Sequence, residues 1–306
     1  EYSRTILALT ALGYDPSNVG GYNLLAPLAD FKAVTRQGVN GAAYALLALD
    51  SHGYEIPAVS DGKTQTSREN LVRFILDKQL AGGGWNFSGT AADVDMTAMV
   101  IQALAPYYKT NTEVRTAVDT ALALLSDRQD VNGGYASYGD ANSESNAQVL
   151  VALTALGIDP EADARFLKNG HSVVDALCAY YVGEGGFSHV ADGELNGLAT
   201  TQAYYALAAY ARFQNGQTSL YDMSDVTLKA GTVPDNSNGG TTTPGSGSND
   251  GQTAGADNGA GASGKSDTKA TNAVKTGDNA AYLAAGTGFV LAAAAFVVLA
   301  KGRKKT

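Results

Sequence analysis

Residues 71–108 contain two helical patterns that differ in how much of the helix surface is apolar. In the first, apolar side chains including Leu71 and Ile75 share one face and charged side chains the other, which predicts an amphipathic helix with one side in water. The second, residues 97–105, is apolar almost all round, so that helix should be buried on every side. A glycine-rich turn, residues 82–85, joins them. The unit is therefore one half-exposed helix followed by one buried helix.

This unit recurs along the chain. The spacing apolar-x3-polar-x3-Gly-x-aromatic occurs three times, beginning at Ile75, Leu125 and Leu177. The predicted buried helices are residues 3–12, 40–49, 95–105, 144–156 and 199–210. Aligned on their Ala-Leu pairs, they recur every 40 to 55 residues, a period typical of stacked supersecondary units.

Further amphipathic helices are predicted between the buried ones. They are residues 23–31, 113–129 and 172–182, in addition to the helix around Leu71. Because no segment alternates strictly between apolar and polar residues, we predict an all-α fold with buried helices inside and amphipathic helices outside.

The repeat, carried in its first copy by Gln79, Gly83 and Trp85, resembles that of squalene and oxidosqualene cyclases. These are α/α-toroid proteins of the prenyltransferase/squalene oxidase repeat type, as are protein prenyltransferase β subunits, complement thioester domains and corrin carriers. The resemblance covers residues 1 to about 213 and implies an α/α toroid. Because the chain opens inside a helix, we expect an N-terminally truncated partial barrel of about five helical hairpins. Both enzymes and binding proteins share this fold, so activity has to be argued from the site.

One segment at the start of a buried helix is a candidate for catalysis. Residues 92–98 resemble the Asp-x-Asp-Asp-Thr-Ala motif of squalene–hopene cyclases. The resemblance implies Asp95 as the acid that protonates an alkene and Asp93 as its neighbour, but Met96 stands where the motif has its last aspartate. Carboxylates at a helix start also cap free N–H groups and interact with the helix dipole. We expect this structural role for Asp95, with Asp95→Asn costing about 1 kcal/mol.

Polar residues on the buried helices predict a cavity that suits a polar ligand. The candidate ligand-binding residues are Asn40, Glu144, Gln148, Thr201 and Gln202, with the repeat aromatics Trp85, Tyr135 and Phe187. In the alternative interpretation, the polar groups satisfy one another between layers and the aromatics pack between helix pairs.

Charge and cysteine content exclude several classes of function. The net charge of −9 argues against nucleic-acid binding, which needs clustered Lys and Arg. The single Cys178 excludes an intrachain disulfide framework and a cysteine-cluster metal site. The three histidines are scattered, so we predict neither a metal site nor a cofactor.

The composition changes after the helical domain, which we place at residues 1–228. Residues 229–272 are rich in Gly, Ser, Thr and Asn and predict a disordered stalk. Residues 280–300 are 21 residues without a charge, long enough as a helix to span about 31 Å. Because a basic tail follows, the C-terminus is predicted to be cytoplasmic.

The C-terminal region, residues 273–306, resembles the cell-wall sorting signal of Gram-positive surface proteins. Thr276 and Gly277 match the end of its Leu-Pro-x-Thr-Gly motif, and the apolar segment and basic tail follow in the expected order. Ala273 and Val274 replace Leu-Pro, which affects recognition by sortase but not outward display.

These features favour a surface-displayed, non-catalytic binding module, attached through a single membrane span or to the cell wall. The expected partners are an extracellular ligand (a small molecule, possibly corrin-like, or a glycan or protein), the membrane and a sortase. The first alternative is a terpene-cyclase-like or prenyltransferase-like enzyme that uses Asp95 as acid. The second is a structural spacer.

Overall fold

The computed structural model describes residues 1–229, and this part of the chain is mostly helical, which confirms the predicted all-α class. Its helices are α1 Tyr2–Ala11, α2 Phe31–Val34, α3 Gly38–Asp50, α4 Arg68–Leu76, α5 Val94–Leu104, α6 Thr112–Arg128, α7 Ser143–Ala155, α8 Val173–Cys178 and α9 Gly197–Gln214. Two antiparallel hairpins were not predicted. Their strands are β1 Ala136–Ser137, β2 Asp140–Ala141, β3 Tyr181–Gly183 and β4 Gly186–Phe187.

The helices α1, α3, α5, α7 and α9 form an inner layer in which each packs against the next. In α7, residues 143–154 are all buried, as expected for a helix with no face in water. Helices α4, α6 and α8 pack against α3, α5 and α7 from outside. The five predicted buried helices are confirmed, with ends displaced by four residues or fewer.

Polar caps fix where three of the inner helices, α5, α7 and α9, begin. The Asp93 side chain accepts from Met96 N at the start of α5, and Asn142 accepts from Ser145 N at the start of α7. Asn196 caps α9 in the same way. Each such cap contributes about 1 kcal/mol.

Two predicted outer helices differ from those observed. The predicted helix at residues 23–31 is wrong, because a 3-10 turn at Ala26–Ala29 and extended backbone at Asp30 leave α2 a single turn long. The predicted helix at residues 172–182 ends early at Cys178. Beyond it, glycines with positive φ turn the chain into the β3–β4 hairpin.

The chain after α9, residues 217–229, returns to the first two inner helices, and we call it the return segment. Met223 N donates to Ser51 O at 2.7 Å, just beyond the end of α3. Lys229 N donates to Gly13 O at 2.7 Å, just beyond the end of α1. The last described residues therefore pack on the C-terminal ends of α1 and α3. Lys229, placed first in the predicted stalk, is bonded to the helical domain.

The glycine of the repeat lies where the turn meets the next outer helix. Gly133 has φ +83°, and a Cβ there would stand 2.4 Å from Ser172 O, at the start of α8. Gly185, the third copy, has φ +77°, but its nearest neighbour would be Tyr204 Oη at 3.6 Å. The same backbone conformation is therefore crowded in the second repeat and open in the third.

Gly133→Ala is expected to lower the free energy of unfolding by about 2–4 kcal/mol, because a strained backbone and a collision with a carbonyl add together. Gly185→Ala carries the backbone strain alone, so it should cost about 1 kcal/mol. Urea unfolding of both variants measures the difference, and equal losses would contradict the crowding seen at Gly133.

Within residues 1–229, no helix is both long and apolar enough to cross a bilayer. The predicted stalk beyond Lys229, the sorting motif at Thr276 and Gly277, and the apolar segment at residues 280–300 lie outside the described residues.

Candidate functional site

A ladder of buried side chains crosses the inner layer from α5 to α9. Gln102 Nε2 donates to Gln148 O at 3.0 Å and to Gln148 Oε1 at 3.1 Å. Gln148 Nε2 in turn donates to Gln202 Oε1 at 2.8 Å and to Tyr205 Oη. We call these four residues the amide ladder. The predicted ligand residues Gln148 and Gln202 thus bond each other, within one layer rather than between two.

The other polar candidates are dispersed. Thr201 Oγ1 donates to Gly197 O of its own helix at 2.8 Å, so its hydroxyl is already satisfied. Asn40 lies in the first turn of α3, where it lines a cavity of about 290 Å³ together with Arg4 and Tyr44. Asn40 and Thr201 therefore do not join the amide ladder.

The three repeat aromatics are core residues. Trp85 is 0% exposed, and its indole Nε1 donates to Ile75 O at 2.8 Å, across its own turn. Tyr135 is 1% exposed. Phe187 is 3% exposed and packs edge-on against Tyr204, with ring centroids 5.8 Å apart. These placements favour the packing interpretation over a ligand groove.

A cavity of about 680 Å³, which we call the inner cavity, lies at the C-terminal ends of α3, α5 and α7. The return segment supplies one wall. Its lining includes Leu47, Asp50, Arg68, Gln102, Tyr107, Val151, Ala155, Ser219 and Tyr221. Apolar helix faces therefore meet a small set of polar groups in this cavity, and Gln102 links it to the amide ladder.

Asp50, Arg68 and Tyr107 form a network on the wall of the inner cavity. Arg68 Nε donates to Asp50 Oδ1 at 2.6 Å, and Tyr107 Oη donates to Asp50 Oδ2 at 2.7 Å. Arg68 Nη2 also donates to Leu49 O and Tyr54 O, at 2.8 and 3.0 Å. Burial raises the pKa of Asp50, although Tyr107 and Arg68 both act to lower it. The network presents paired, fixed charges.

The sequence carries a signal for this network, although Asp50, Arg68 and Tyr107 were not among the predicted site residues. Asp50 is a charged residue that closes an otherwise uncharged buried helix, and Arg68 opens the outer helix that packs on it. A charged residue at the end of a buried helix needs a partner of opposite charge, and Arg68 lies 18 positions further along the chain.

The opposite, N-terminal ends of α5 and α7 carry Asp93, Asp95 and Glu144, which we call the acidic end. Asp93 caps α5 through Oδ1 and accepts from Ser137 Oγ at 2.5 Å through Oδ2. Asp95 lies in the first turn of α5 but does not cap it, because Asp93 is the cap. Its Oδ1 is buried without a hydrogen bond of standard geometry, although the Ser145 and Ser137 hydroxyls lie close enough to lower the pKa of the carboxyl. Burial raises the pKa of Asp95 to about 7, and the neighbouring Asp93 and Glu144 add to this increase.

The third carboxyl has its own partner. His189 Nδ1 lies 2.8 Å from Glu144 Oε2, with the His189 side chain half exposed. Neither His189 nor Ser137 was singled out from the sequence, because the contacts depend on loops that connect different repeats.

Asp95→Asn is expected to stabilise the protein at pH 8 by more than about 1 kcal/mol. A carboxyl with a folded-state pKa raised to about 7 keeps its proton where the unfolded chain has lost it, so wild-type stability falls as the pH rises from about 4 to 7. Asn stays neutral, and this part of the pH dependence should disappear in the variant.

The neighbouring position supplies the matched control. Asp93→Ala removes the cap on α5 and should cost about 1 kcal/mol. Chemical denaturation of both variants between pH 4 and 8 compares them, and a loss of stability in Asp95→Asn at pH 8 would contradict the raised pKa that burial gives this carboxyl.

In the part of the chain that the structure describes, no group of three or more His, Cys, Asp or Glu side chains has the geometry of a metal site. The polar groups that the two regions offer are the Asp50–Arg68 ion pair in the inner cavity and the buried Asp95 carboxyl at the acidic end. No protein-family model and no curated protein matches the chain.

Proposed function

We propose that residues 1–229 belong to an open α/α toroid that binds a small polar molecule in the inner cavity. The order of neighbours in the inner layer supports this shape, as does the return segment, which brings the end of the domain back to α1 and α3. The pKa of Tyr205 on α9 is raised, first by burial and further by Tyr221 and by Tyr44 on α3. Helices α3 and α9, which are not neighbours in the inner layer, thus lie within electrostatic range of each other.

The inner cavity is the observation that most directly supports the proposed binding function. Its volume of about 680 Å³ falls in the range of small-molecule pockets, which are typically concave, largely apolar and marked by a few polar groups. The charges of Asp50 and Arg68 already neutralise each other. Because an ionic ligand would have to break that pair, the cavity suits a neutral molecule with hydroxyl or amide groups that can bond to Gln102 and Tyr107.

A ligand-detected NMR screen tests the binding role with the 306-residue chain. The library should contain neutral sugars, nucleosides and amides, with cyanocobalamin as the corrin probe. Ala155→Trp places a bulky ring in the inner cavity, whereas Ala211→Trp alters a half-buried alanine of α9 away from the residues that line it. We expect hits that Ala155→Trp abolishes and Ala211→Trp retains. Hits that survive Ala155→Trp, or no hits, would favour the spacer alternative.

A catalytic role has one observation in its favour, the Asp95 carboxyl, which retains its proton close to neutral pH. An acid that protonates an alkene needs a neutral carboxyl in a dry setting. Met96 is buried where the cyclase motif has an aspartate, so one supporting carboxyl is missing. We expect no cyclised product when the protein is incubated with squalene. Product that disappears in Asp95→Asn would make the enzyme alternative correct.

Surface display is part of the same proposal and rests on the sequence beyond the helical domain. Thr276-Gly277, the apolar segment at residues 280–300 and the basic tail follow one another in the order of a sorting signal. Cell fractionation with and without Thr276→Ala tests it. Thr276-dependent recovery in the wall supports sortase attachment, membrane recovery supports a plain anchor, and recovery in the cytosol contradicts display.

A further inference from the structure

The amide ladder fixes which atom of Gln102 faces the inner cavity. Gln102 Nε2 donates to Gln148 O at 3.0 Å, and this backbone carbonyl of α7 can only accept. The same nitrogen donates to Gln148 Oε1 at 3.1 Å. If the Gln102 amide were turned over, its Oε1 would lie against two acceptor oxygens and both hydrogen bonds would be lost. The orientation of the Gln102 amide is therefore set by the neighbouring helix.

The far end of the amide ladder holds Gln148 in the orientation that Gln102 requires. Gln148 Nε2 donates to Gln202 Oε1 at 2.8 Å and to Tyr205 Oη, which uses both of its hydrogens. Tyr205 Oη in turn donates to Gln202 Oε1 at 3.1 Å. Because the Gln148 nitrogen is engaged on α9, the Gln148 side chain offers only its oxygen to Gln102. Each glutamine from α5 to α7 thus donates toward α9.

The remaining polar atom of Gln102, Oε1, is an acceptor without a donor. It accepts no hydrogen bond from any of residues 1–229, although the residue is only 3% exposed. Gln102 lines the inner cavity, and its Oε1 is not sealed from solvent, so this oxygen faces the inner cavity. Buried polar groups are normally satisfied, and a donor from outside the chain is therefore expected here.

Two further groups on the wall of the inner cavity define what such a ligand has to offer. Tyr107 Oη donates its one proton to Asp50 Oδ2 at 2.7 Å, so toward a ligand it can only accept. Arg68 uses Nε and Nη2 within the wall network, and its Nη1 makes no hydrogen bond in the described part of the chain. The inner cavity thus presents acceptors and a donor. Hydroxyl groups match this mixture, because each can both donate and accept.

We propose that the inner cavity binds a neutral sugar of one or two pyranose rings, with a hydroxyl of the sugar donating to Gln102 Oε1. This inference rests on the binding function proposed above. Further hydroxyls donate to Tyr107 Oη and accept from Arg68 Nη1. The apolar side chains of α3, α5 and α7 that line the cavity pack against the C–H groups of the ring. Because the sugar is uncharged, the ion pair of Arg68 with Asp50 stays intact.

Matched pairs of ligands test this inference without any change to the protein. Methyl glycosides of glucose, galactose and mannose, with maltose and cellobiose, present hydroxyl donors. Their fully O-methylated derivatives have the same rings and acceptor oxygens but no hydroxyl donor. In ligand-observed NMR titrations of the 306-residue chain, we expect at least one sugar to bind. Its O-methylated derivative should bind at least about tenfold more weakly, because Gln102 Oε1 then has no donor. Equal affinities within a pair overturn the inference.

A matched pair of variants assigns the effect to Gln102. Gln102→Met removes the acceptor at similar side-chain length and should weaken sugar binding about tenfold. Gln129→Met is the control, because Gln129 is also a buried glutamine, 6% exposed, but bonds Gly133 O and Phe166 O and does not line the inner cavity. It should bind the sugar as the wild type does. Unchanged affinity in Gln102→Met, or equal losses in both variants, overturns the role of Gln102 Oε1.

Failure of the sugar assignment can be told apart from failure of the binding function. If none of these sugars binds, the sugar assignment is overturned. Should a nucleoside or an amide of the wider library bind instead, and Ala155→Trp abolish that binding, the inner cavity is still a binding site. If no compound of the library binds, the proposed function fails together with the sugar assignment.

Discussion

Trp85→Ala is expected to lower the free energy of unfolding by about 3–5 kcal/mol, the largest loss of any single substitution considered. The side chain is 0% exposed, so its removal leaves a cavity that the surrounding helices fill incompletely. It also removes the donor to Ile75 O, a carbonyl near the end of α4. The loss should appear in urea denaturation as a lower midpoint at an unchanged slope.

Phe87, two residues further along, is the control for this prediction. It is 39% exposed, so Phe87→Ala removes an aromatic ring without opening a cavity of comparable size. We expect it to cost less than about 1.5 kcal/mol. A Trp85→Ala variant as stable as Phe87→Ala would show that the glycine-aromatic turn is not a core element of the repeat.

Arg68→Ala is expected to destabilise the domain by about 2–4 kcal/mol. The substitution leaves the Asp50 carboxylate with Tyr107 as its remaining partner in the network, in a mostly buried position. It also leaves Leu49 O and Tyr54 O without the guanidinium that they share. An unpaired buried charge is costly, and lost hydrogen bonds to two backbone carbonyls add to it.

Arg73→Ala is the matched control, because Arg73 pairs with Glu113 at 3.0 Å with both side chains more than half exposed. Exposed pairs contribute about 0–1 kcal/mol, so this variant should unfold almost as the wild type does. Urea denaturation of both variants at pH 7 makes the comparison. Similar losses in the Arg68→Ala and Arg73→Ala variants would mean that the Asp50–Arg68 pair is as accessible to solvent as a pair on the outer surface.

The inner layer could be predicted from the sequence because the burial of each helix follows from its own pattern of apolar residues. Beyond its capped first turn, helix α7 is apolar on all sides except at Gln148 and Thr154, and full burial is the packing that suits such a segment. The repeat spacing then placed Gly133 and Trp85 in equivalent turns. The bounds of the short outer helices were predicted wrongly because α2 and α8 are too brief for a helical period to be distinguished from a turn.

The candidate site was predictable in part. Gln148 and Gln202 each stand four residues before an Ala-Leu pair, and that shared position brings them into contact. The contact of Asp50 with Arg68 and that of Glu144 with His189 join segments 18 and 45 residues apart. Such pairings depend on how loops fold back over the helix ends, which periodicity does not encode.

Protection of a single thiol in the inner cavity tests the central claim most directly. An Ala155→Cys variant in a Cys178→Ser background carries one reactive thiol at the cavity wall, and Ala211→Cys in the same background carries one away from it. The ligand selected by NMR, at about ten times its Kd, should slow thiol modification of the Ala155→Cys variant about tenfold and leave the Ala211→Cys variant unchanged. Equal modification rates with and without ligand in the Ala155→Cys variant would contradict binding in the inner cavity.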